Sequence, residues 1–528
     1  MDLLIQGALI VDGSGEKPYY GDIAVDRDRI SAVGRLDALE ARRVVDARGL
    51  MATPGLIDGH THSELNLMAN RQHPNAVYQG ISTVVTGQCG LGFAPMKDEM
   101  FDDSMRINSG IFGDYRRYFK KWNTFGEFLN LLGGSAVNVA ANVSHNAVRQ
   151  MITGFEDRPL NEEELKAAKQ VVADAMEEGA VGLSVGLSYY PGGYSNTREL
   201  AEMCSVVKQY DGLFCVHQRL NDGQIPISSL EEAAEVVRRT KVRLNMLHYR
   251  TGGMEDYHTM FAPFEELEKE GAQIYYEFYP YLVGAGLLLA LVPGWVQEGS
   301  WRKIMDRLTS EELRDRLLRE MDERHSYFFG PGQTARIILT KDPYSRSLGR
   351  TVDEIAEEHG ETFSQAVIRL LIENELEAGF AGIENQTEEL KEKLYDDQYR
   401  LFTDDRYTVG SDTIPTGILC HPRAFGSFAR IIEHMRERSV PAEYIIKKLT
   451  SMPAQMYHLE DRGLLKPGMK ADICLMDYEK VCDKATFGNP RRRPEGIHSL
   501  YVNGLPALEE GTLTGILAGE AVRRGLNK

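Results

Sequence analysis

Leu213-Phe214-Cys215-Val216-His217 is an apolar run that ends in a histidine. A helical segment from Glu231 to Val237 follows, and then a second run of the same kind, Val242-Arg243-Leu244-Asn245-Met246-Leu247-His248. Working backward, residues 162–178 carry apolar side chains at helical spacing (Leu165, Ala168, Val171, Val172, Ala175, Met176) and lead into Val181-Gly182-Leu183-Ser184. Working forward, the helical stretch Phe264 to Glu270 leads into Ala272-Gln273-Ile274-Tyr275-Tyr276, and upstream Gly80 to Thr86 is strand-like. So many strand–helix repeats predict a parallel sheet, and favour a closed (β/α)8 barrel over an open one. The segment from about 299 to 400 is charged and helical in pattern, and it reads as an insertion in a barrel spanning residues 55–459.

The two ends have another texture. Leu3-Leu4-Ile5, Ala8-Leu9-Ile10-Val11 and Asp22-Ile23-Ala24-Val25 are short runs separated by Gly and Asp. Asp472-Ile473-Cys474-Leu475-Met476 and Ser499-Leu500-Tyr501-Val502, then Asn503-Gly504, repeat the pattern near the C-terminus. Residues 1–54 and 460–528 are therefore expected to meet in one small β domain.

Composition narrows the function. With 60 Lys+Arg against 78 Asp+Glu the net charge is −18, which argues against nucleic acid or an anionic membrane as the main partner. A content of 42% hydrophobic and 26% charged residues excludes a disordered chain. Six cysteines without a CxxC pair make neither a disulfide scaffold nor a zinc ribbon. Met1-Asp2-Leu3-Leu4 lacks the basic start of a signal peptide. The most apolar stretch, Leu282 to Val296, is interrupted by Gly284, Gly286, Pro293 and Gly294, and is too short to span a bilayer. A soluble cytoplasmic protein is expected.

Chemistry-bearing residues gather at the ends of the expected strands, where a (β/α)8 barrel builds its active site. Pro54-Gly55-Leu56-Ile57-Asp58-Gly59-His60-Thr61-His62 ends in His-x-His, whose alternation points both imidazoles to one side, able to share a metal. Thr86-Gly87-Gln88-Cys89-Gly90 places a thiol past the next strand, His217 and His248 end theirs, and Val409-Gly410-Ser411-Asp412 ends in a carboxylate. One strand-end histidine is an ordinary structural residue. Four histidines, a cysteine and an aspartate after separate strands form the donor set of a borderline divalent cation such as zinc.

These motifs resemble the N-acyl-D-amino-acid deacylase (D-aminoacylase) family of the amidohydrolase superfamily. His-x-His marks the superfamily, while Gln88-Cys89-Gly90 and the spacing from Ser411-Asp412 to His421-Pro422-Arg423 mark the family. The likeness covers nearly the whole chain. It implies a distorted TIM-like barrel beside a small β-sandwich formed by both termini. It further implies one tightly bound zinc on Cys89, His217 and His248, with His60 and His62 defining a second, weakly occupied position. Asp412 is implied to be the proton shuttle, and Arg423, aided by Tyr279, the holder of the substrate carboxylate. The implied reaction is hydrolysis of the amide of N-acyl-D-amino acids. Tyr190, with Tyr189 and Tyr194 around Pro191-Gly192-Gly193, is a candidate pocket wall; stiffening of the loop is the plainer role.

The sequence departs from the family in three places. Gly182 to Leu187 offers no lysine to bridge two metals, which favours the Cys-bridged subtype. Ser63-Glu64 stands where two acidic residues are usual, and Ala285 stands where a small hydroxyl residue would help hold the carboxylate. Alternative readings are an L-Xaa-D-Xaa dipeptidase, which shares the D-terminal carboxylate; a cyclic-amide hydrolase, against which the missing lysine and the presence of Arg423 speak; and a non-catalytic scaffold, which would be expected to have lost part of the donor set.

Overall fold

Eight short parallel strands hold the centre of the protein: Leu56–Asp58 (β1), Ile81–Thr86 (β2), Asn138–Ala141 continued by Val143–Ser144 (β3), Gly182–Gly186 (β4), Leu213–His217 (β5), Arg243–Met246 (β6), Ile274–Phe278 (β7) and Tyr407–Val409 (β8). This computed structural model describes residues 1–36, 40–116, 121–220, 227–250, 257–328 and 334–525. Nearly every position of these strands is buried, because a parallel sheet wrapped by helices has no solvent face; that is why they read as continuous apolar runs. Helix Glu162–Glu177 packs behind the second half of β3 and Thr197–Gln209 behind β4 and β5, and the first is started by an Asn161–Glu164 capping box.

The ring is irregular in two places. β3 breaks at Asn142, so that its first half pairs with β2 and its second half with β4. β1 and β8 are joined just beyond their ends: the His62 N–H donates to the Thr413 carbonyl and the Asp412 N–H to the His60 carbonyl, both at 2.9 Å. The barrel closes through residues that line its own mouth.

Both termini feed one nine-stranded sheet. In it Leu3–Ile10 pairs with Tyr19–Asp26 on one side, and divides its other edge between Arg43–Asp46 and Met51–Pro54. Met51–Pro54 continues into the C-terminal strands Ile473–Met476, Ile497–Val502 and Leu505–Glu509. The fork encloses a separate apolar core that includes Ile5, Ile10, Ile23, Val25, Ile473 and Leu475. The two expected strands Leu3–Ile5 and Ala8–Val11 are one strand. Gly7 (φ 72°) sits where the register shifts and lets the strand bulge instead of turning.

The segment 299–400 contains the expected helices, Trp301–Thr309, Glu311–Phe328, Val352–His359, Phe363–Glu373 and Glu388–Thr403. It also contains two strands, Ala335–Thr340 and Ala378–Gly382, which form an antiparallel sheet with Ala285–Leu287. The purely helical expectation is corrected here. Ala335 to Thr340 is a short apolar run whose pattern is swamped by the charged helices around it. Among the described residues no helix is long and apolar enough to cross a membrane.

Candidate active site

Each predicted donor stands where a strand ends, and the fold places them all at one mouth. His60, His62, Cys89, His217 and Asp412 are buried, and His248 is half-buried. Cys89 (φ 54°), His248 (φ 38°) and Asp412 (φ 50°) adopt left-handed backbone conformations that cost on the order of 1–3 kcal/mol each for side-chain-bearing residues. Such strain persists only where the surroundings impose it, and here it turns three donors toward a common point. Beside them Gly410 has no alternative, since a Cβ there would lie 2.5 Å from both the His60 Cβ and the Glu277 carboxyl carbon.

The donor atoms fall into two groups that share Cys89: His60, His62, Cys89 and Asp412, and Cys89, His217 and His248. The Cys89 Sγ lies 3.4 Å from His60 Nε2 and 3.5 Å from His248 Nε2. His60 and His62 Nε2 are 3.4 Å apart, and Asp412 Oδ1 lies 3.2 Å from His62 Nε2. A tetrahedron with edges of this size has its centre roughly 2 Å from each corner, the length of zinc–nitrogen and zinc–oxygen bonds. For three of the four histidines the protonation chemistry agrees. Burial holds His62 and His248 below the usual histidine range and His217 down to about 4, so all three are neutral and able to ligate. Burial also pushes the Cys89 thiol to about 11, against the pull of His60, so a thiolate here needs a cation for its stability. The residues present fit a divalent metal.

Behind the donors sit groups that fix their orientation. Glu277, inside β7, accepts a 2.6 Å hydrogen bond at His60 Nδ1, which leaves Nε2 facing the cluster. Burial opposes charge on His60, yet Glu277, Cys89 and Asp412 together raise its pKa well above the ordinary value. Asp58 accepts from the Ser411 backbone and hydroxyl and from the His60 N–H, stitching β1 to the loop after β8; burial lifts it to about 7. Glu64 accepts from the Gly87 N–H at 2.7 Å and so anchors the loop that carries Cys89; burial lifts it, too, to about 7. Glu277 escaped the sequence reading, although an acid inside the buried run Ile274–Phe278 was a signal that it has an internal partner.

Arg423, expected at the substrate carboxylate, is fully buried at the start of helix Arg423–Glu437. Its backbone N–H donates to His421 Nδ1 at 3.0 Å, and its Nη1 lies 2.8 Å from Asp412 Oδ2. Burial disfavours the Asp412 charge, but Arg423, His60 and His62 outweigh it and hold the carboxyl well below the usual range. Two guanidiniums lie near the Tyr279 ring, Arg423 at 4.8 Å and Arg250 at 3.6 Å from its centre. Arg250, two residues past His248, was not foreseen; a cation so soon after a strand-end histidine was the available clue. Ala285 lines the same mouth, a cavity of about 230 Å³, and its carbonyl lies 3.4 Å from Arg423 Nη2. Tyr190 does not line this mouth. It packs on Tyr194, ring centres 4.4 Å apart, and walls an adjoining cavity of about 450 Å³. Tyr189 lines both cavities and packs on His217. Arg219 ties loops together through Glu232 and the carbonyls of Gly193 and Ser195, and His145 is buried against Glu199, away from the donors.

A (β/α)8 barrel that gathers imidazoles, a thiolate and a carboxylate at the C-terminal ends of its strands has the make-up of a metal-dependent hydrolase. The chain belongs to the amidohydrolase family, which it matches over residues 43–319 and 352–507. It is 30% identical to a D-aminoacylase of Alcaligenes xylosoxydans xylosoxydans, with 99% of this chain and 98% of that protein covered. A crystal structure of D-aminoacylase superposes with a TM-score of 0.80 at 28% identity, covering 99% of this chain and all of the other (100%). An N-acyl-D-glutamate deacylase from Bordetella bronchiseptica, solved with zinc and a phosphonate mimic of the tetrahedral intermediate, superposes with a TM-score of 0.79 at 25% identity, covering 99% of each chain.

Proposed function

We propose that the protein hydrolyses the amide of N-acyl-D-amino acids, releasing a carboxylate and a free D-amino acid, and that its cofactor is zinc. The observation that carries this reading is the position of Asp412. One carboxylate oxygen faces His60 and His62 of the donor cluster, and the other faces Arg423. A substrate that fits both must carry its own carboxylate a few ångströms from the bond to be cut, as an acylated amino acid does.

His60, His62, Cys89, His217 and His248 would hold the metal, with Asp412 beside them. When bound, zinc lowers the pKa of water from 15.7 to about 7 and polarises a carbonyl. Asp412, kept ionised by Arg423, His60 and His62, accepts the proton of the attacking water at Oδ1 and returns it to the departing nitrogen. Around Tyr279, Arg250 and Arg423 contribute two positive charges against the one negative charge of Asp412. The remaining positive charge is balanced by one substrate carboxylate, which fixes the end of the substrate that faces the cluster. Tyr189 and Tyr279 line the mouth around the cluster.

The direct test offers the zinc-supplemented protein the two enantiomers of N-acetylleucine and an L-Ala-D-Ala dipeptide, and measures amine release. Turnover of the D-enantiomer with the L-enantiomer inert is expected. Release from the dipeptide alone would move the reading to a dipeptidase, and equal rates on both enantiomers would sink it.

Arg423 gives a second check. Arg423→Met keeps the length and loses the charge, so the substrate carboxylate is left short of a partner in a buried site. The loss in kcat/KM on an acyl-D-amino acid should correspond to about 2–5 kcal/mol. The neutral C-terminal amide of the same substrate should lose much less, and what it does lose measures the misplacement of Asp412, which Arg423 also holds. Equal losses on acid and amide would assign Arg423 to Asp412 alone.

A further inference from the structure

The connection between strands Ile473–Met476 and Ile497–Val502, residues 477–496, does more than join them. The two strands are antiparallel neighbours, for which a tight turn suffices. Instead the chain leaves the terminal sheet and lies against the barrel. It meets the loop from Asp412 to Arg423 and the helix Arg423–Glu437. A long connection is usually either functional or disordered, and this one is held by buried contacts.

Asp483 is its anchor, with a side chain only 3% exposed. Oδ2 accepts the Tyr281 hydroxyl at 2.6 Å and Arg430 Nε at 2.9 Å, and Oδ1 accepts the Ala485 N–H at 2.8 Å. The Arg430 guanidinium also lies 4.0 Å from the centre of the Tyr281 ring. Gly426 makes the room, since a Cβ there would collide with the Asp483 carboxylate and the Tyr281 hydroxyl. Further along, the Phe487 ring packs edge-on against His421, centres 5.0 Å apart, and Arg491 donates to the Pro415 carbonyl at 2.9 Å.

These contacts fall on both elements that shape the carboxylate end of the mouth. Arg430 lies two turns along the helix whose first residue is Arg423. Tyr281 lies two residues past Tyr279; its ring packs edge-on against His421, and its carbonyl accepts from Arg250. His421 in turn accepts the Arg423 N–H. We propose that Asp483 is a positioning residue: through Tyr281 and Arg430 it sets the place of Arg423 relative to Tyr279, and with it the preference for a substrate that carries a carboxylate. This positioning rests on the deacylase reading and gives the small β domain a part in it. Asp483 itself does not line the mouth.

Asp483→Asn keeps the shape, but an amide accepts at one oxygen where the carboxylate accepts at two. It should lower kcat/KM on N-acetyl-D-leucine by about tenfold, mainly through KM, and on the neutral C-terminal amide of that substrate by no more than about twofold. In an Arg423→Met background the same change should cost either substrate no more than about twofold, because the group it positions is gone. Tyr281→Phe removes one hydroxyl and keeps the ring; it should act in the same sense, and it carries the test if Asp483→Asn does not fold. By calorimetry, D-leucine should bind the variant about tenfold more weakly than wild type, while D-leucinamide, which lacks the carboxylate, binds both alike. Equal losses on acid and amide, or a full loss persisting in the Arg423→Met background, would assign Asp483 to the fold and overturn the positioning role. Selective weakening of D-leucine binding in a protein that hydrolyses no acyl-D-amino acid would keep the positioning role and remove the deacylase reading. Equal affinity of wild type and both variants for D-leucine overturns the role whichever substrates turn over.

Discussion

Asp412→Asn should lower kcat by at least the ~10²–10⁴-fold typical of lost general acid–base catalysis, with the protein still folded. The amide keeps the shape of the carboxylate and its contact with Arg423, but it cannot take a proton. The surroundings sharpen the expectation. Asp412 is held ionised by Arg423, His60 and His62, so at neutral pH it starts without the proton that the proposed shuttle must take up. KM should change less than kcat, because what is lost is an interaction made during the reaction. Single-turnover rates, with circular dichroism to verify folding, decide it. Turnover near wild type would assign the proton to another group.

Cys89→Ala should abolish both tightly bound zinc and activity. Cys89 belongs to both donor groups, so its removal damages two sites in one step. Changing a residue that only orients a ligand typically costs 10–100-fold in metal affinity. The loss of a shared direct donor should exceed that. Elemental analysis after dialysis reads the metal independently of turnover, and full zinc content in the variant would remove Cys89 from the donors. Glu277→Gln is the natural companion, since it keeps Cys89 and weakens the hold on His60; its loss should fall within the smaller range.

What a strand does locally was legible. Apolar runs ending in His217 and His248, His-x-His after Leu56-Ile57-Asp58, and Asp412 after Tyr407–Val409 each place a donor at a strand's C-terminal end. A parallel barrel collects all such ends on one face. The family likeness then named the chemistry. The left-handed turns at Cys89, His248 and Asp412 were not legible, because they are imposed by the closure of the ring and not preferred by those residues.

By itself, then, the sequence of this protein determined the barrel, the gathering of donors and the β character of both ends, since each depends on periodicity and on which residue ends a run. The tertiary structure alone decided who faces whom. Glu277 meets His60 from 217 residues away, Arg423 meets Asp412, and Arg250 stacks on Tyr279, because strand register and ring closure bring them together and nothing in their neighbours along the chain encodes it. The cavity beside the mouth is of the same kind. Gly286 reads as an interruption in the sequence, and only the pairing of its strand with Phe380 turns the missing side chain into space.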